Sequence, residues 1–416
     1  MAARTEGTRS SGSPAFDMLK ASLRYGAHCL RERVAPPRAK VAGDVPVNGR
    51  QITREWLTAV LCADRPGAAV ESFTVEDATS GTSSRLRLRL TYNEAGREAA
   101  LPDVLFAKTT AKFTQRMMLG LGNTIEGEPG FFAHLRNGVD IEAPRGYHGA
   151  ADQASGRSIV LMEDLVATKG ATFCTPRTTV TRPQAEDLVA NMATWHARYW
   201  ESPELTEHAS WLKMPSVHFR TLDRLIQLRK RAEVGAKRAG AVIPGDLRGT
   251  SFDRVYAAFA ASVNAADKGP LTVLHGDGHI GNTYTTAAGR MGFADWQITM
   301  RGSWAFDYTY TVTSALAVDD RRAWEKDLLG FYLDRLSAAG VKAPDFDAAW
   351  DAYRCQTLYP YLIWLYTIGR GALQPQMQPS ETCLAVIERT ANAVVDLASL
   401  DAIGDGTGVA PPRTGD

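Results

Sequence analysis

Two clusters of polar residues are the most informative part of the sequence: His-Gly-Asp-Gly-His-Ile-Gly-Asn at 275–282 and Asp-Trp-Gln at 295–297. A short apolar run precedes each cluster, at 271–274 and at 291–294. Short apolar runs bounded by glycine indicate buried strands. We therefore predict that each cluster follows a strand, and that a hairpin with Gly289 at its turn lies between them.

The polar side chains of these clusters suit a metal-dependent group transfer. The predicted hairpin brings Asn282 and Asp295 to one edge, and amide and carboxylate oxygens are ligands that Mg²⁺ prefers. Asp277 leaves the first strand in a glycine-flanked turn, where a carboxylate can accept the proton of a hydroxyl group. The pattern thus indicates a base beside a magnesium site.

The rest of the chain divides by its periodicity. Leu86, Leu88 and Leu90 alternate with arginines, which is typical of a half-buried strand, and further strand patterns follow up to about residue 165. Helical spacing dominates afterwards, apart from the β segments around the two clusters. The predicted parts are a disordered N-terminus, a helical extension, a β-rich N-lobe, a helical C-lobe and a disordered tail, at residues 1–13, 14–69, 70–165, 166–403 and 404–416.

The pattern HGDxxxxN followed by DWQ resembles the aminoglycoside phosphotransferase, choline kinase and ecdysteroid-kinase-like superfamily of small-molecule kinases. The resemblance covers residues of about 70 to 400 and implies an α+β, bilobal, protein-kinase-like fold. It further implies that ATP and Mg²⁺ are bound, that Asp277 is the base, and that Asn282 and Asp295 hold the metal. Asp307, in Gly-Ser-Trp-Ala-Phe-Asp at 302–307, is expected to support the loop that carries Asp277, here called the catalytic loop.

Several N-lobe residues match the nucleotide site of that superfamily. Lys108 ends an apolar strand, where an unpaired lysine is unexpected, and it resembles the lysine that binds the α- and β-phosphates. Glu128 resembles its glutamate partner, with Glu126 as a competitor. A loop between two strands supplies N–H groups and hydroxyls that could cradle phosphates. Its residues are Gly81, Thr82, Ser83 and Ser84.

The end of the N-lobe resembles the hinge of the superfamily. Leu161-Met-Glu-Asp-Leu165 leaves a predicted strand, and the resemblance implies that the Glu163 carbonyl and the Leu165 N–H contact the adenine edge. His196 matches a histidine behind the active site, which we expect to be packed and hydrogen-bonded.

Two other functions stay open. His275, Asp277, His279 and Asp295 could instead bind zinc or another transition metal in a metal-dependent hydrolase, although this leaves Lys108 without a role. A nucleotide-binding pseudokinase would bind ATP without transferring phosphate, and the presence of all three central residues argues against it.

The acceptor is expected to be a small molecule with a hydroxyl group. Only residues 296–306 separate Asp295 from Asp307, which leaves no room for a peptide-docking segment. Residues 353–380 contain no Asp or Glu but five Tyr or Trp side chains, which favours an apolar or aromatic-contacted alcohol over a polycationic aminoglycoside. An aromatic cage for a quaternary amine, or simple helix core, would also explain them.

Composition sets the remaining expectations. Lys plus Arg number 47 and Asp plus Glu 46, a net charge of +1, so there is no global electrostatic case for binding nucleic acid or an anionic membrane. No run of eighteen apolar residues predicts a membrane span, and the first thirteen residues lack the apolar core of a secretory signal. Five dispersed cysteines without a CxxC pair predict free thiols in a reducing cytoplasm.

Overall fold

A computed structural model describes residues 13–81, 83–371 and 376–403, which form a small β-rich N-lobe and a larger helical C-lobe. The predicted α+β, bilobal fold class is confirmed. Thr82 and the segments predicted to be disordered, apart from Ser13, lie outside the described residues. No helix among the described residues is both long and apolar enough to cross a membrane.

The N-lobe is built around one antiparallel sheet whose strands lie in the order β1-β2-β3-β5-β4. Its strands are β1 (Val70–Ser80), β2 (Ser84–Tyr92), β3 (Val104–Thr109), β4 (Gly146–Asp152) and β5 (Arg157–Glu163). The helices of this half are α1 (Pro14–Val34), α2 (Arg54–Leu61), α3 (Glu94–Glu98), α4 (Phe113–Leu121) and α5 (Gly127–Gly130). Helix α5 continues into a wider π-helical turn at Phe131–Leu135.

The C-lobe combines helices with two small sheets, ordered β6-β8-β9 and β10-β7. Its strands are β6 (Thr172–Phe173), β7 (Leu271–Leu274), β8 (Thr283–Thr285), β9 (Met291–Phe293) and β10 (Met300–Ser303). Its first helices are α6 (Leu165–Lys169), α7 (Arg182–Arg198), α8 (Glu204–Glu207), α9 (Pro215–Ile226), α10 (Leu228–Arg238), α11 (Gly245–Gly249) and α12 (Phe252–Ala266). The later ones are α13 (Ala305–Ala315), α14 (Val318–Ala338), α15 (Phe346–Gln356), α16 (Leu358–Ile368), α17 (Ser380–Asp396) and α18 (Ser399–Ala402).

The alternation in β2 places its leucines and arginines on opposite faces of the sheet. Leu86, Leu88 and Leu90 are buried in a core that includes Trp56 of α2. The arginines share the other face with Lys108, because Arg85 lies directly opposite Lys108 in the β2–β3 register. The sheet thus turns a row of positive charge toward the cleft between the lobes.

The helical spacing of residues 222–237 predicts one continuous helix, and this prediction is wrong. The structure ends α9 at Ile226 and starts α10 at Leu228, because Gln227 adopts a left-handed backbone with φ of 56°. The strand β4 and the helix α4 were not predicted. Gly149 of β4 lies so close to Pro129 that a Cβ would come 2.0 Å from its carbonyl oxygen. Because β4 packs through a close contact at a glycine, its sequence lacks the apolar alternation that would predict a strand.

The helix α1, outside the superfamily resemblance, docks through a buried ion pair. The Arg116 guanidinium of α4 is fully buried and donates to both carboxylate oxygens of Glu32 in α1, at 2.6 and 3.1 Å. It also donates to the carbonyls of Thr110 and Ser155. The side chain of Tyr25 fits against Gly120, where a Cβ would collide with it.

We predict that Glu32→Gln lowers the free energy of unfolding by about 3–5 kcal/mol, because it leaves the buried Arg116 charge without its counter-ion. The measurement is urea unfolding monitored by circular dichroism. Glu55→Gln is the matched control, since Glu55 pairs with exposed Arg54 at 3.9 Å and such pairs contribute below about 1 kcal/mol. Equal stability of the two variants would show that the Glu32–Arg116 pair does not hold α1.

Candidate active site

The loop after β7 is held from beneath by Asp307 of α13. The Asp307 carboxylate accepts the backbone N–H of His275 at 2.5 Å and that of Gly276 at 2.9 Å. Gly276 has φ of 79°, and a Cβ there would lie 2.1 Å from the Ile298 carbonyl oxygen. Only glycine fits this turn. The turn delivers Asp277, whose side chain remains 28% exposed.

Donors hold both oxygens of the Asp277 carboxylate. The Tyr310 hydroxyl is 3.1 Å from Oδ1, and Nδ2 of Asn282 is 3.2 Å from Oδ2. The Trp364 indole N–H donates to the Tyr310 oxygen at 2.9 Å. An indole N–H can only donate, so the hydroxyl proton of Tyr310 is directed to Asp277. The role of Tyr310 is not predictable from the sequence, since an aromatic residue in a buried helix is usually part of the core.

Pairing of β8 with β9 brings Asn282 and Asp295 to one end of the predicted hairpin. The Ala294 N–H donates to the Asn282 carbonyl at 2.8 Å, and Gly289 turns the hairpin with φ of 80°. The Asn282 side-chain nitrogen also donates to the Asp277 carbonyl at 2.9 Å. Its amide oxygen accepts no hydrogen bond from the described residues, so it suits a metal ligand.

Asp295 adopts a left-handed backbone, with φ of 63°. This conformation is uncommon for residues other than glycine and is held only where surrounding structure enforces it. The strained position directs the carboxylate of Asp295 toward Lys108 on the opposite lobe.

Lys108 lies between two carboxylates. Its ammonium is 2.7 Å from Glu128 and 3.0 Å from Asp295, and the Arg85 guanidinium is 3.8 Å from the other oxygen of Asp295. Burial disfavours the charged lysine, but Asp295 and Glu128 outweigh it and raise its pKa. The opposing effects of burial and of the Lys108 charge leave the pKa of Asp295 lowered. Lys108 and Asp295 are therefore both ionised.

The structure decides between the two candidate partners of Lys108. Glu126 bonds to Gln153 instead, whereas Glu128 enters the cleft. The glycines around Glu128 permit this, because a Cβ on Gly127 would lie 2.4 Å from the Gln297 carbonyl oxygen. Gly127 therefore allows α5 to approach the Asp-Trp-Gln segment closely, whereas Gly130 lies against the Trp211 ring, 2.8 Å from where a Cβ would be.

The pKa of Asp277 is raised to about 8 by burial and by the negative charge of Asp295. Tyr310 and Asn282 act in the opposite direction, since their hydrogen bonds favour the ionised carboxylate. The two carboxylates are therefore coupled: positive charge placed at Asp295 favours ionisation of Asp277.

The histidines of the first cluster are not arranged as metal ligands. Both ring nitrogens of His275 face backbone groups, Nε2 at 3.0 Å from the Ala294 carbonyl and Nδ1 accepting the Asp277 N–H at 3.3 Å. Nδ1 of His279 accepts the Gly281 N–H, and burial lowers the pKa of His279 to about 4. In the described part of the chain no three His, Cys, Asp or Glu side chains form a metal-binding group. These contacts disfavour the hydrolase alternative.

The loop expected to cradle phosphates is the β1–β2 turn, of which Gly81, Ser83 and Ser84 are described. The Gly81 N–H donates to the Ser83 carbonyl at 2.9 Å. Gln115 of α4 spans the turn, donating to the Gly81 carbonyl and accepting from the Ser84 hydroxyl. The turn is therefore fastened to α4, a contact that sequence analysis missed.

The expected hinge connects β5 to α6. Asp164 caps α6 by accepting the Ala167 N–H at 3.0 Å and pairs with Arg87 at 2.5 Å. Leu165 is the first residue of α6, so its N–H has no intrahelical acceptor. The Glu163 side chain faces the Thr168 hydroxyl, which leaves only its backbone for the expected adenine contact.

The aromatic residues at 353–366 are mostly helix core. Tyr353, Tyr359, Tyr361 and Trp364 are buried, and Tyr366 is partly buried. Tyr359 donates to the Gly276 carbonyl at 2.6 Å. Two of these residues, Tyr359 and Trp364, thus support the catalytic loop, and the expectation that the stretch forms an open pocket wall is not met by its buried members.

His196 is fully buried and hydrogen-bonded, with Nδ1 2.7 Å from the Tyr332 hydroxyl and Nε2 3.6 Å from Asp307. Burial lowers its pKa. It therefore lies beside Asp307, behind the loop that carries Asp277.

A family model described as the phosphotransferase enzyme family (APH) matches residues 120–355, more than half of the chain. The chain belongs to this phosphotransferase family. It is a small-molecule phosphotransferase with a protein-kinase-like fold. The matched segment contains α5 and the whole catalytic loop, and it excludes α1 and strands β1 to β3.

Solved structures of similar fold come from several small-molecule kinases. A macrolide 2'-phosphotransferase from Brachybacterium faecium is 16% identical, with 80% of this chain and 97% of that chain covered and a TM-score of 0.40. A choline kinase from Cryptosporidium parvum is 13% identical, with 78% of this chain and 89% of that chain covered and a TM-score of 0.45. An ethanolamine kinase from Plasmodium vivax is 10% identical, with 90% of this chain and 94% of that chain covered and a TM-score of 0.47. No curated protein sequence matches the phosphotransferase significantly.

We predict that Glu128→Gln weakens ATP binding about tenfold, because Lys108 loses a charged partner that positions it, and such hydrogen bonds contribute about 1.5–3 kcal/mol. Isothermal titration calorimetry with Mg·ATP measures the effect. Glu126→Gln is the matched control, since Glu126 lies two residues away and contacts Gln153. Loss of affinity in the control alone would reverse the assignment of the two glutamates.

Proposed function

We propose that this phosphotransferase moves the γ-phosphate of ATP to a hydroxyl group of a small molecule, with Asp277 as the base. The observation that carries the proposal is the convergence of Asp277, Asn282 and Asp295 on one cleft, with the Lys108 ammonium 3.0 Å from Asp295. The proposed step begins when Asp277 accepts the hydroxyl proton. The acceptor oxygen then bonds to the γ-phosphorus, the bond to the β–γ bridging oxygen breaks, and ADP leaves.

Asn282 and Asp295 are the proposed Mg²⁺ ligands. An amide oxygen and a carboxylate form a hard-oxygen set that fits magnesium, which takes few protein ligands and completes its shell with phosphates and water. Bound there, the ion would neutralise charge on the β- and γ-phosphates. Lys108 and Arg85 supply further positive charge on the N-lobe side of the same cleft.

The remaining nucleotide contacts are proposed from the resemblance and from position. Gly81, Ser83 and Ser84 face the phosphates from the β1–β2 turn. The Glu163 carbonyl and the Leu165 N–H face adenine at the hinge.

The proposed location is a reducing cytoplasm, which agrees with unpaired cysteines at all five positions.

The proposed acceptor is a largely apolar alcohol. Trp364 and Tyr310 border Asp277, and His279 beside them is uncharged. These neighbours of Asp277 carry no carboxylate, so an aminoglycoside would bury its further ammonium groups beside them without counter-charges. Binding should therefore come mainly from apolar contact and depend weakly on salt.

We predict that Asp277→Ala lowers turnover by about 10²–10⁴ while ATP affinity is kept, because only general base catalysis is removed. The measurement is a coupled ADP-release assay across sterols, terpenols, sugars, choline analogues and antibiotics. Neutral apolar alcohols should exceed kanamycin as acceptors. Asp253→Ala, an exposed aspartate on α12, is the matched control.

Full activity of Asp277→Ala on the best acceptor would remove Asp277 as the base. A wild-type chain that binds ATP but phosphorylates nothing across the screen would indicate the pseudokinase alternative. Stoichiometric zinc in the purified protein would indicate the alternative function as a metal-dependent hydrolase.

We predict that Asp295→Asn weakens Mg·ATP binding and transfer together, because it removes charge beside the bridging phosphates. Asn282→Ala should act in the same direction but more mildly, since it removes a neutral ligand. Magnesium titrations of the transfer rate at fixed ATP measure both effects. Unchanged magnesium dependence in both variants would refute the assignment of the ligands.

A further inference from the structure

Helix α1 turns its apolar side chains toward solvent. Its buried residues are instead Ala21, Tyr25 and Glu32. At about 100° per residue these three fall on one side of the helix and the apolar side chains on the opposite side. Five apolar residues, between 56% and 82% exposed, form this outward face, here called the α1 ridge: Phe16, Leu19, Leu23, Leu30 and Val34.

Basic residues flank the α1 ridge on both sides. Lys20, Arg24 and Arg31 lie along one flank, Arg33 lies along the other, and all four are exposed. The two acids of the helix are engaged elsewhere, because Asp17 pairs with Arg224 of α9 and Glu32 with buried Arg116. The outward face therefore combines apolar and positive groups and presents no unpaired carboxylate.

We propose that the α1 ridge docks on an anionic lipid surface, with α1 lying in the plane of the interface. Leucine and phenylalanine on one face with lysine and arginine beside them are the composition of an interfacial helix. Attraction to anionic headgroups acts within about 10 Å, so it depends on these local cations and not on the net charge of +1. The ridge is convex and needs no complementary groove in its partner.

The surface extends beyond α1 onto its neighbour. Phe113 at the start of α4 lies 4.0 Å from the Cβ position of Gly26 and is 39% exposed, and Met118 is also exposed. Both lie on the helix that α1 packs against. Phe113 therefore extends the apolar area from α1 onto α4, whereas Met118 lies about 140° around α4 from Phe113 and is not part of this surface.

A second copy of the chain fits this face less well. A two-fold contact pairs a surface with itself, so two α1 ridges in contact would set rows of lysine and arginine side by side. Such like-charge contacts oppose association. The sign of the charge thus favours an anionic partner over self-association.

Lipid docking also agrees with the apolar acceptor, a link that rests on the proposed function, since apolar alcohols concentrate in membranes. The docking itself rests only on α1 and α4. Its test requires no turnover, so failure of the phosphotransfer proposal and failure of the docking proposal are distinguishable.

The experiment is co-sedimentation of the full chain with phosphatidylcholine vesicles that contain or lack roughly one-third phosphatidylglycerol, a composition that creates a negative surface potential. Wild type should bind only the anionic vesicles and should be released by about 0.5 M salt. Leu23→Asp should reduce binding about tenfold or more. The double variant Lys20→Gln/Arg31→Gln should reduce it about 25-fold, at about fivefold for each cation lost.

Matched controls are Phe346→Asp, an exposed apolar residue of α15, and Arg54→Glu, an exposed cation of α2; both should bind as wild type does. Thermal unfolding checks that each variant folds. Absence of wild-type binding to anionic vesicles, or equal binding of the ridge variants, would overturn the proposal. A dimer in light scattering that Leu23→Asp dissociates, without vesicle binding, would assign the face to a second copy.

Discussion

The buried ammonium of Lys108 is the constraint on which the arrangement of the two lobes depends. Burying a charge is costly unless it is paired and hydrogen-bonded, and its two carboxylates come from different lobes, Glu128 from α5 and Asp295 from the end of β9. Separating the lobes would therefore leave charges unbalanced. The stacking of Phe131 on Trp296, with ring centroids 3.8 Å apart, reinforces the same junction with apolar contact.

A second constraint is the helix beneath the catalytic loop. Every residue of α13 is buried, yet the helix carries polar side chains that bond to the loop above it. Asp307 accepts two backbone N–H groups, and Thr311 donates to the Gly278 carbonyl at 2.9 Å. Buried polar groups must find partners, so the loop conformation and the position of α13 determine each other. Tyr310 extends this support to the carboxylate of Asp277.

The apolar stripe of helix α1 faces away from the core of the protein. Its spacing of Phe16, Leu19, Leu23 and Leu30 predicts a helix over 14–34, which the structure confirms. In most surface helices such a stripe faces the core. Here an ion pair and Tyr25 hold the helix from the opposite side, because Glu32 meets the buried Arg116. The apolar stripe is left for an external partner.

The sequence alone determined the elements around the catalytic loop, because short apolar runs, glycines and polar residues there follow strict local rules. It also determined the family, since the spacing of Asp277, Asn282 and Asp295 is a local property of one hairpin. It could not place Tyr310 or Trp364 at Asp277, find β4, or choose Glu128 over Glu126. These features depend on contacts between segments distant in the chain, where a hydroxyl, a glycine or a carboxylate acquires its role only from the groups that packing brings beside it.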